Sequence, residues 1–332
     1  MIQVKPTAED IAAAQLQWVS PALIRMYGQD GMRQNIRPDA EELAEGLFDS
    51  EYGAMIRDLV EQIPVQDPLL WADRTVDLGD GHWAITSIRF RNRDLSRPFV
   101  YVLACSAPPT AETLQRLAEH VMPVYEAFSP LCFRVLAPGP SGPFDPASST
   151  PELGLAIDQR FLAGQVEELN DAPRGSAFSE VSLEPTTAAE AAEYVSAMHE
   201  RLRAANPDQR AWASPATAEE LQQPEEEGLL FTVRTAEPVG VVAAKRDDSY
   251  GLTGFCVQEI TVDEEFRGRG LGTASLQHLC RRLSEVASAG DVLWGTIHGG
   301  NLPSLNNAHS VGREEVATYM WVTPAGFPGM PA

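Results

Sequence analysis

Cysteine is sparse. The 332 residues hold four, at Cys105, Cys132, Cys256 and Cys280, widely spaced and in no CxxC or Cys/His cluster. That spacing argues against a structural zinc site and against a disulfide framework, so no metal is expected. The thiols are expected as small buried hydrophobes in a reducing, cytoplasmic setting. No apolar run reaches the roughly 18–20 residues of a membrane-spanning helix. The opening MIQVKPTAEDIAAA lacks a basic segment followed by an apolar stretch, so no secretory signal is expected. Positive charge is also short: 25 Lys and Arg face 47 Asp and Glu, for a formal net charge of −22. Such a surface repels nucleic-acid phosphates and anionic membranes, and neither is expected as a partner. It would attract a cationic amine, although acidity that serves only solubility produces the same composition.

What is present points to about two globular domains, with 44% hydrophobic and 22% charged residues. The clearest break is APGPSGPFDPASSTPELG, from Ala137 to Gly154, rich in Pro, Gly and Ser. Leu155, Phe161, Leu162, Val166 and Leu169 after it suggest a short amphipathic helix. A second loop runs from Asn170 to Ala177, and the chain divides into residues 1–170 and 171–332. The second part reads as alternating elements. Strands are expected at Ser179–Leu183, Phe255–Val262, Val292–Ile297 and Val316–Val322, with a hairpin of Leu229–Arg234 and Val239–Lys245. Helices are expected at Thr187–Ala205, from Thr217 with Glu220 completing a capping box, at Leu271–Val286 and at Leu302–Ser310. The class is α/β (α+β), a mixed central sheet flanked by helices.

The feature that carries chemistry is Val262-Asp263-Glu264-Glu265-Phe266-Arg267-Gly268-Arg269-Gly270-Leu271-Gly272, between a strand and a helix. Glycines there let backbone N–H groups face a concave space, and the following helix adds the positive end of its dipole. Together with Arg267 and Arg269 this suits a pyrophosphate. A Walker loop needs Gly-Lys-Ser/Thr, but Thr273-Ala274 follows Gly272; the G-x-G-x-G spacing also departs from G-x-G-x-x-G.

The stretch EITVDEEFRGRGLGTASLQHLCRRL resembles the acyl-CoA-binding motif of the GNAT superfamily, the GCN5-related N-acetyltransferases. Its signature, Gln/Arg-x-x-Gly-x-Gly/Ala, is met by Arg267 to Gly272. Asn301 to Gly312 resembles that family's second motif. The resemblance implies the GNAT acyl-CoA N-acyltransferase fold and acetyl-CoA as donor. It implies that Ile260, Thr261 and Val262 pair with the pantetheine arm, and that Arg267, Gly268, Arg269, Gly270, Leu271, Gly272 and Thr273 hold the pyrophosphate. Asn301 would bond the pantetheine or line the acetyl end; as the residue before Leu302 it also suits an N-cap. The acceptor would be a small-molecule or peptide amine, and the protein a monomer or homodimer.

Two positions depart from the family pattern. Where several GNAT families place an acidic base, four residues before Val262, stands Gln258. Glu259 is adjacent, yet alternation along a strand would turn it to the other face. Where a Tyr acid is usual, four residues before Gly312, stands Ala308. His309, Ser310, His298 and Tyr319 are substitutes, with His309 first. These departures keep a second reading open, a non-catalytic acyl-CoA-binding or sensing protein.

The first half repeats the grammar without the glycines. A strand is expected at Ile2–Lys5, a helix at Ile11–Met26, strands at Trp83–Arg91, Phe99–Cys105 and Cys132–Ala137, and a helix at Ala111–Met122. Its strand-to-helix turn, Ser106-Ala107-Pro108-Pro109-Thr110, cannot offer amide N–H groups at the two prolines. A degenerate N-terminal GNAT-like copy in tandem and an unrelated α/β domain both fit this pattern.

Overall fold

The computed structural model describes residues 5–139, 141–205 and 214–331. The strand expected at Ile2–Lys5 falls, but for Lys5, outside them. In chain order the helices and strands are α1 (Ala8–Gln17), α2 (Pro21–Gly46), α3 (Ser50–Leu59), β1 (Arg74–Gly79), β2 (His82–Phe90), β3 (Pro98–Cys105), α4 (Ala111–Val121), β4 (Phe133–Ala137) and β5 (Leu153–Gln165). They continue as α5 (Val166–Asp171), β6 (Ser182–Pro185), α6 (Ala188–Ala205), α7 (Ala218–Glu226), β7 (Leu230–Arg234), β8 (Pro238–Arg246), β9 (Gly254–Val262), α8 (Leu271–Leu283), β10 (Val292–His298), α9 (Leu302–Ser310) and β11 (Glu314–Pro324).

The chain forms two compact units, Met1–Arg160 with Val316–Ala332, and Phe161–Glu315. The expected division lay at 170/171 and gave the C-terminal strand to the second part. Instead β11 pairs antiparallel with β4, from Thr318↔Ala137 to Val322↔Phe133, which ties it to the first unit. The segment Ala137–Gly154 does not separate the units either. Its Phe144 is buried in the first unit's core, 5.6 Å from the ring of Trp18.

In the first unit the strands run β1-β2-β3-β4-β11-β5, with β3 and β4 parallel. Leu114, Leu117 and Val121 of α4 pack with Trp71, Tyr125 and Phe133. The single helix expected at Ile11–Met26 is two. Ser20 caps α2 by accepting the Leu23 N–H, and Pro21 occupies its first turn, where a missing N–H costs nothing. The helix expected around Leu155–Leu169 is the long strand β5 followed by the short α5. Phe161, Leu162 and Ala163 are consecutive and all buried, as in a strand covered on both faces, and such a run has no helical period to find.

In the second unit the order is β5-β10-β9-β8-β7-β6, antiparallel from β6 to β9 and parallel between β9 and β10. Helix α8 buries Leu276, Leu279 and Leu283 against one face of this sheet, with Val242, Phe255 and Leu293. Each such side chain contributes roughly 1.5–3 kcal/mol of burial. Helices α6 and α7 cover the other face through Val195 and Leu221, against Leu230, Val241 and Ala243. The capping box at Thr217 and Glu220 is present. The architecture is the expected mixed sheet with helices on both faces.

Candidate acyl-CoA site

The site begins where two parallel strands part. β9 and β10 are in register over Gly254↔Val292, Phe255↔Leu293 and Cys256↔Trp294. Both strands continue, β9 to Val262 and β10 to His298, without further register between them. The other edge of β9 stays paired with β8 as far as Val262↔Gly240. The result is a wedge with the backbone of residues 257–262 along one wall. An open strand edge of this kind is what an extended, amide-bearing ligand can join.

β9 also carries a bulge. Opposite it, Ala243 pairs with Glu259 and Ala244 with Val257, so Gln258 is the extra residue. Simple alternation is thereby shifted by one. Val257, Ile260 and Val262 all pack on the α8 side. Glu259 turns instead toward the α6–α7 side, where its Oε2 accepts from the Ala216 N–H at 3.4 Å. Burial pushes the Glu259 carboxyl above its ordinary range. Hydrogen bonds from the Thr261 hydroxyl and from the Ala216 and Ile260 amides pull it back, and the charge of Glu220 adds to the rise.

At the far end of β9 the glycine loop leads into α8. Gly268 and Gly270 have φ of +76° and +79°, a region that favours glycine. Gly270 is the N-cap of α8 and supplies no side chain, so the first-turn N–H groups meet no side-chain cap. Arg267 Nε donates to the Val262 carbonyl at 3.0 Å, and Arg269 Nη2 to the Glu265 carbonyl at 2.9 Å. Residues 267–270 are exposed. Leu271 is buried, while Thr273 donates from Oγ1 to Asn307 Oδ1 at 3.0 Å, linking α8 to α9. A Cβ on Gly272 would lie 3.1 Å from Asn307 Nδ2. Ahead of the loop, Asp263 accepts from the Tyr194 hydroxyl and, at 2.6 Å, from Arg201 of α6.

The residues expected near the reacting atoms are not all brought together. Asn301 caps α9, its Oδ1 accepting the Ser304 N–H at 3.3 Å. His309 is exposed, and its Nδ1 lies 3.2 Å from the Arg313 carbonyl, with no hydrogen bond to Glu259. Ala308 is buried beside Leu162 and Leu305. Ser310 donates to the Asn306 carbonyl, and His298 accepts the Gly300 N–H. Tyr319 belongs to the first unit, its hydroxyl 2.8 Å from that of Tyr101.

Sequence reading missed Arg313, which is buried at 4% exposure and donates to the Leu162 carbonyl at 2.8 Å. Nothing local marks it, because burial of an arginine is decided by tertiary packing. Among the described residues, no group of three or more His, Cys, Asp or Glu is disposed to hold a metal. None of their helices is long and apolar enough to cross a membrane.

Residues 194–312 match the family model described as the acetyltransferase (GNAT) family. Among solved structures, the chain is similar to a GCN5-related N-acetyltransferase from Sphaerobacter thermophilus, at 11% identity over 83% of this chain and 86% of that one, TM-score 0.49. It is also similar to a GCN5-related N-acetyltransferase from Kribbella flavida, at 15% identity over 83% and 95%, TM-score 0.42. A GNAT-family acetyltransferase from Colwellia psychrerythraea gives 10% identity over 83% and 96%, TM-score 0.45. No curated protein matches the sequence. With the glycine loop, α8 and α9 inside the matched segment, residues 194–312 are a domain of the acetyltransferase (GNAT) family.

Proposed function

We propose that the second unit transfers an acyl group from an acyl-CoA, with acetyl-CoA the expected donor, to an amine. The observation that carries this is the wedge between β9 and β10 leading to an uncapped helix start. In this reading residues 260–262 bond the pantetheine arm, and the loop from Arg267 to Thr273 holds the pyrophosphate. Backbone N–H groups and the helix dipole suit that anion, and two exposed guanidiniums add charge.

The reaction joins the amine nitrogen to the thioester carbon and breaks the carbon–sulfur bond. An amine with a pKa near 10.4 is only about one part in 10³ neutral at pH 7, a deficit of roughly 4–5 kcal/mol. Glu259 takes the proton lost by the nitrogen, directly or through water. Its burial suits the task, since a raised carboxyl is a stronger base than an exposed one. The thiolate of CoA leaves and is protonated by water. A thiol pKa near 8.5 makes that departure uphill by only about 2 kcal/mol, so a protein acid is dispensable.

We also read the first unit as a degenerate copy of the same fold. Its β3–α4–β4 segment repeats β9–α8–β10, including a parallel register of three residues from Val100↔Phe133 to Val102↔Val135. β3 carries a bulge as well, at Leu103 between Thr86↔Val102 and Ile85↔Ala104. The helix start differs: Thr110 caps α4 itself, accepting the Thr113 N–H.

A specific observation favours a second reading, binding without turnover: Ala308 is buried at the expected acid position, and His309 faces the Arg313 carbonyl. Calorimetric titration of acetyl-CoA into the wild type and Gly270→Glu, followed by a screen of amines for release of free CoA, decides. Micromolar binding lost in the variant is expected, with CoA release for some amine. Binding without release for any amine leaves the sensing reading, and no binding removes the acyl-CoA assignment.

A further inference from the structure

Arg313 lies beside the apex of the wedge. Gly295 and Val257 are the first residues of β10 and β9 past the parallel register. A Cβ built on Gly295 would stand 3.0 Å from Arg313 Nη2 and 3.4 Å from Val257 Cβ. The absent side chain of Gly295 is therefore what lets a guanidinium reach this point.

Among the described residues the cation has no counter-ion. Nε donates to the Leu162 carbonyl at 3.2 Å, and Nη2 to the same carbonyl at 2.8 Å and to the Gly295 carbonyl at 3.5 Å. These acceptors are neutral. The side chains that act on it electrostatically are the thiols of Cys280 and Cys256. Burial pushes both thiols up to about 12, so neither is an anion at neutral pH. Burial lowers Arg313 to about 10, which still leaves it charged. A buried charge without a partner costs several kcal/mol and normally finds an opposite charge. Nη1 makes no hydrogen bond with the described residues.

We propose that Arg313 selects the acyl chain, and that the donor it fits is an acyl-CoA whose chain ends in a carboxylate, of the malonyl or succinyl class. This rests on the acyl-CoA reading of the second unit and refines its donor. The terminal carboxylate would take charge-assisted hydrogen bonds from Nη1 and so supply the missing counter-ion. Neutral chains leave the guanidinium as it is.

The test is calorimetric titration of the full chain with CoA, acetyl-CoA, butyryl-CoA and succinyl-CoA. Butyryl-CoA matches succinyl-CoA in chain length without the second carboxylate. The expected result is succinyl-CoA binding about tenfold or more tightly than butyryl-CoA. Arg313→Met should erase that ratio while leaving CoA itself unchanged, and Arg313→Lys should keep part of it. The wild-type comparison decides even where a variant fails to fold. Equal binding of succinyl- and butyryl-CoA to the wild type overturns the role of Arg313 and leaves the acyl-CoA site standing. Failure of CoA and every thioester to bind overturns both.

Discussion

Thr261 Oγ1 donates to Glu259 Oε1 at 3.0 Å, from two positions along the same strand face. Both lie beyond the bulge at Gln258, where regular alternation puts residues two apart on one face. Glu259→Gln keeps the size and an acceptor for Thr261 but cannot take a proton. The turnover rate should fall by about 10²–10⁴-fold. The wild-type rate should rise as pH climbs through the raised carboxyl value, and the variant should lose that limb. Stability should move in the opposite sense. The folded protein holds the Glu259 proton to higher pH than the unfolded chain, whose value is near 4.5, so stability falls as pH rises from 4.5 through the folded value. Urea titrations across that window should show the decline in the wild type and not in Glu259→Gln. An unchanged rate profile in the variant would remove Glu259 as the base.

Asp263 joins the end of β9 to α6, and its side chain is only 13% exposed, whereas that of Arg201 is 62% exposed. The Arg201 pair is therefore solvent-screened and adds little. The Tyr194 hydroxyl is the partner that counts. Asp263→Ala and Tyr194→Phe should each lower stability by about 1–2 kcal/mol in urea unfolding. The double variant should lose less than the sum, because both single changes remove the same bond. Strict additivity would show that the two side chains do not act together.

Much of this was legible because it is local. The glycine loop, the start of α8, the Thr217–Glu220 capping box and the β7–β8 hairpin are each set by a few neighbouring residues. The bulge was not, since an extra residue shows only against a partner strand; it puts Val257 and Glu259, two apart in sequence, on opposite faces. β5 misled because a strand buried on both faces has no period of two. The pairing of β11 with β4 joins residues near 320 to residues near 135, and no local signal reports that.

Asp158 in the first unit is 7% exposed and bonded to two arginines, Arg91 at 3.3 Å and Arg134 at 3.1 Å. Arg134 in turn lies 4.1 Å from the centroid of the Tyr319 ring and 4.7 Å from that of Tyr101. Asp158→Ala would leave both cations partly buried and uncompensated, at a cost of about 3–5 kcal/mol. Asp158→Asn should cost less, since an amide oxygen still accepts. Chemical denaturation should rank them wild type, Asn, Ala. Equal stability of the Ala variant and the wild type would show that the rings alone hold the two guanidiniums.

The first unit should bind no acyl-CoA, and the reason lies in its helix start. Pro108 and Pro109 have no N–H to offer a phosphate. Thr110 accepts the Thr113 N–H, the Thr113 hydroxyl returns to the Pro108 carbonyl at 2.6 Å, and Trp18 Nε1 donates to the Ala107 carbonyl at 3.0 Å. At the bulge, the Leu103 carbonyl accepts from Gln15 of α1 at 3.4 Å. The turn and the strand edge that would bind pyrophosphate and pantetheine are thus engaged by the protein's own side chains. Calorimetry should give a stoichiometry of one acyl-CoA per chain, falling to zero in Gly270→Glu. Two sites in the wild type, with one surviving Gly270→Glu, would mean that α1 yields its place and that the first unit is a working copy.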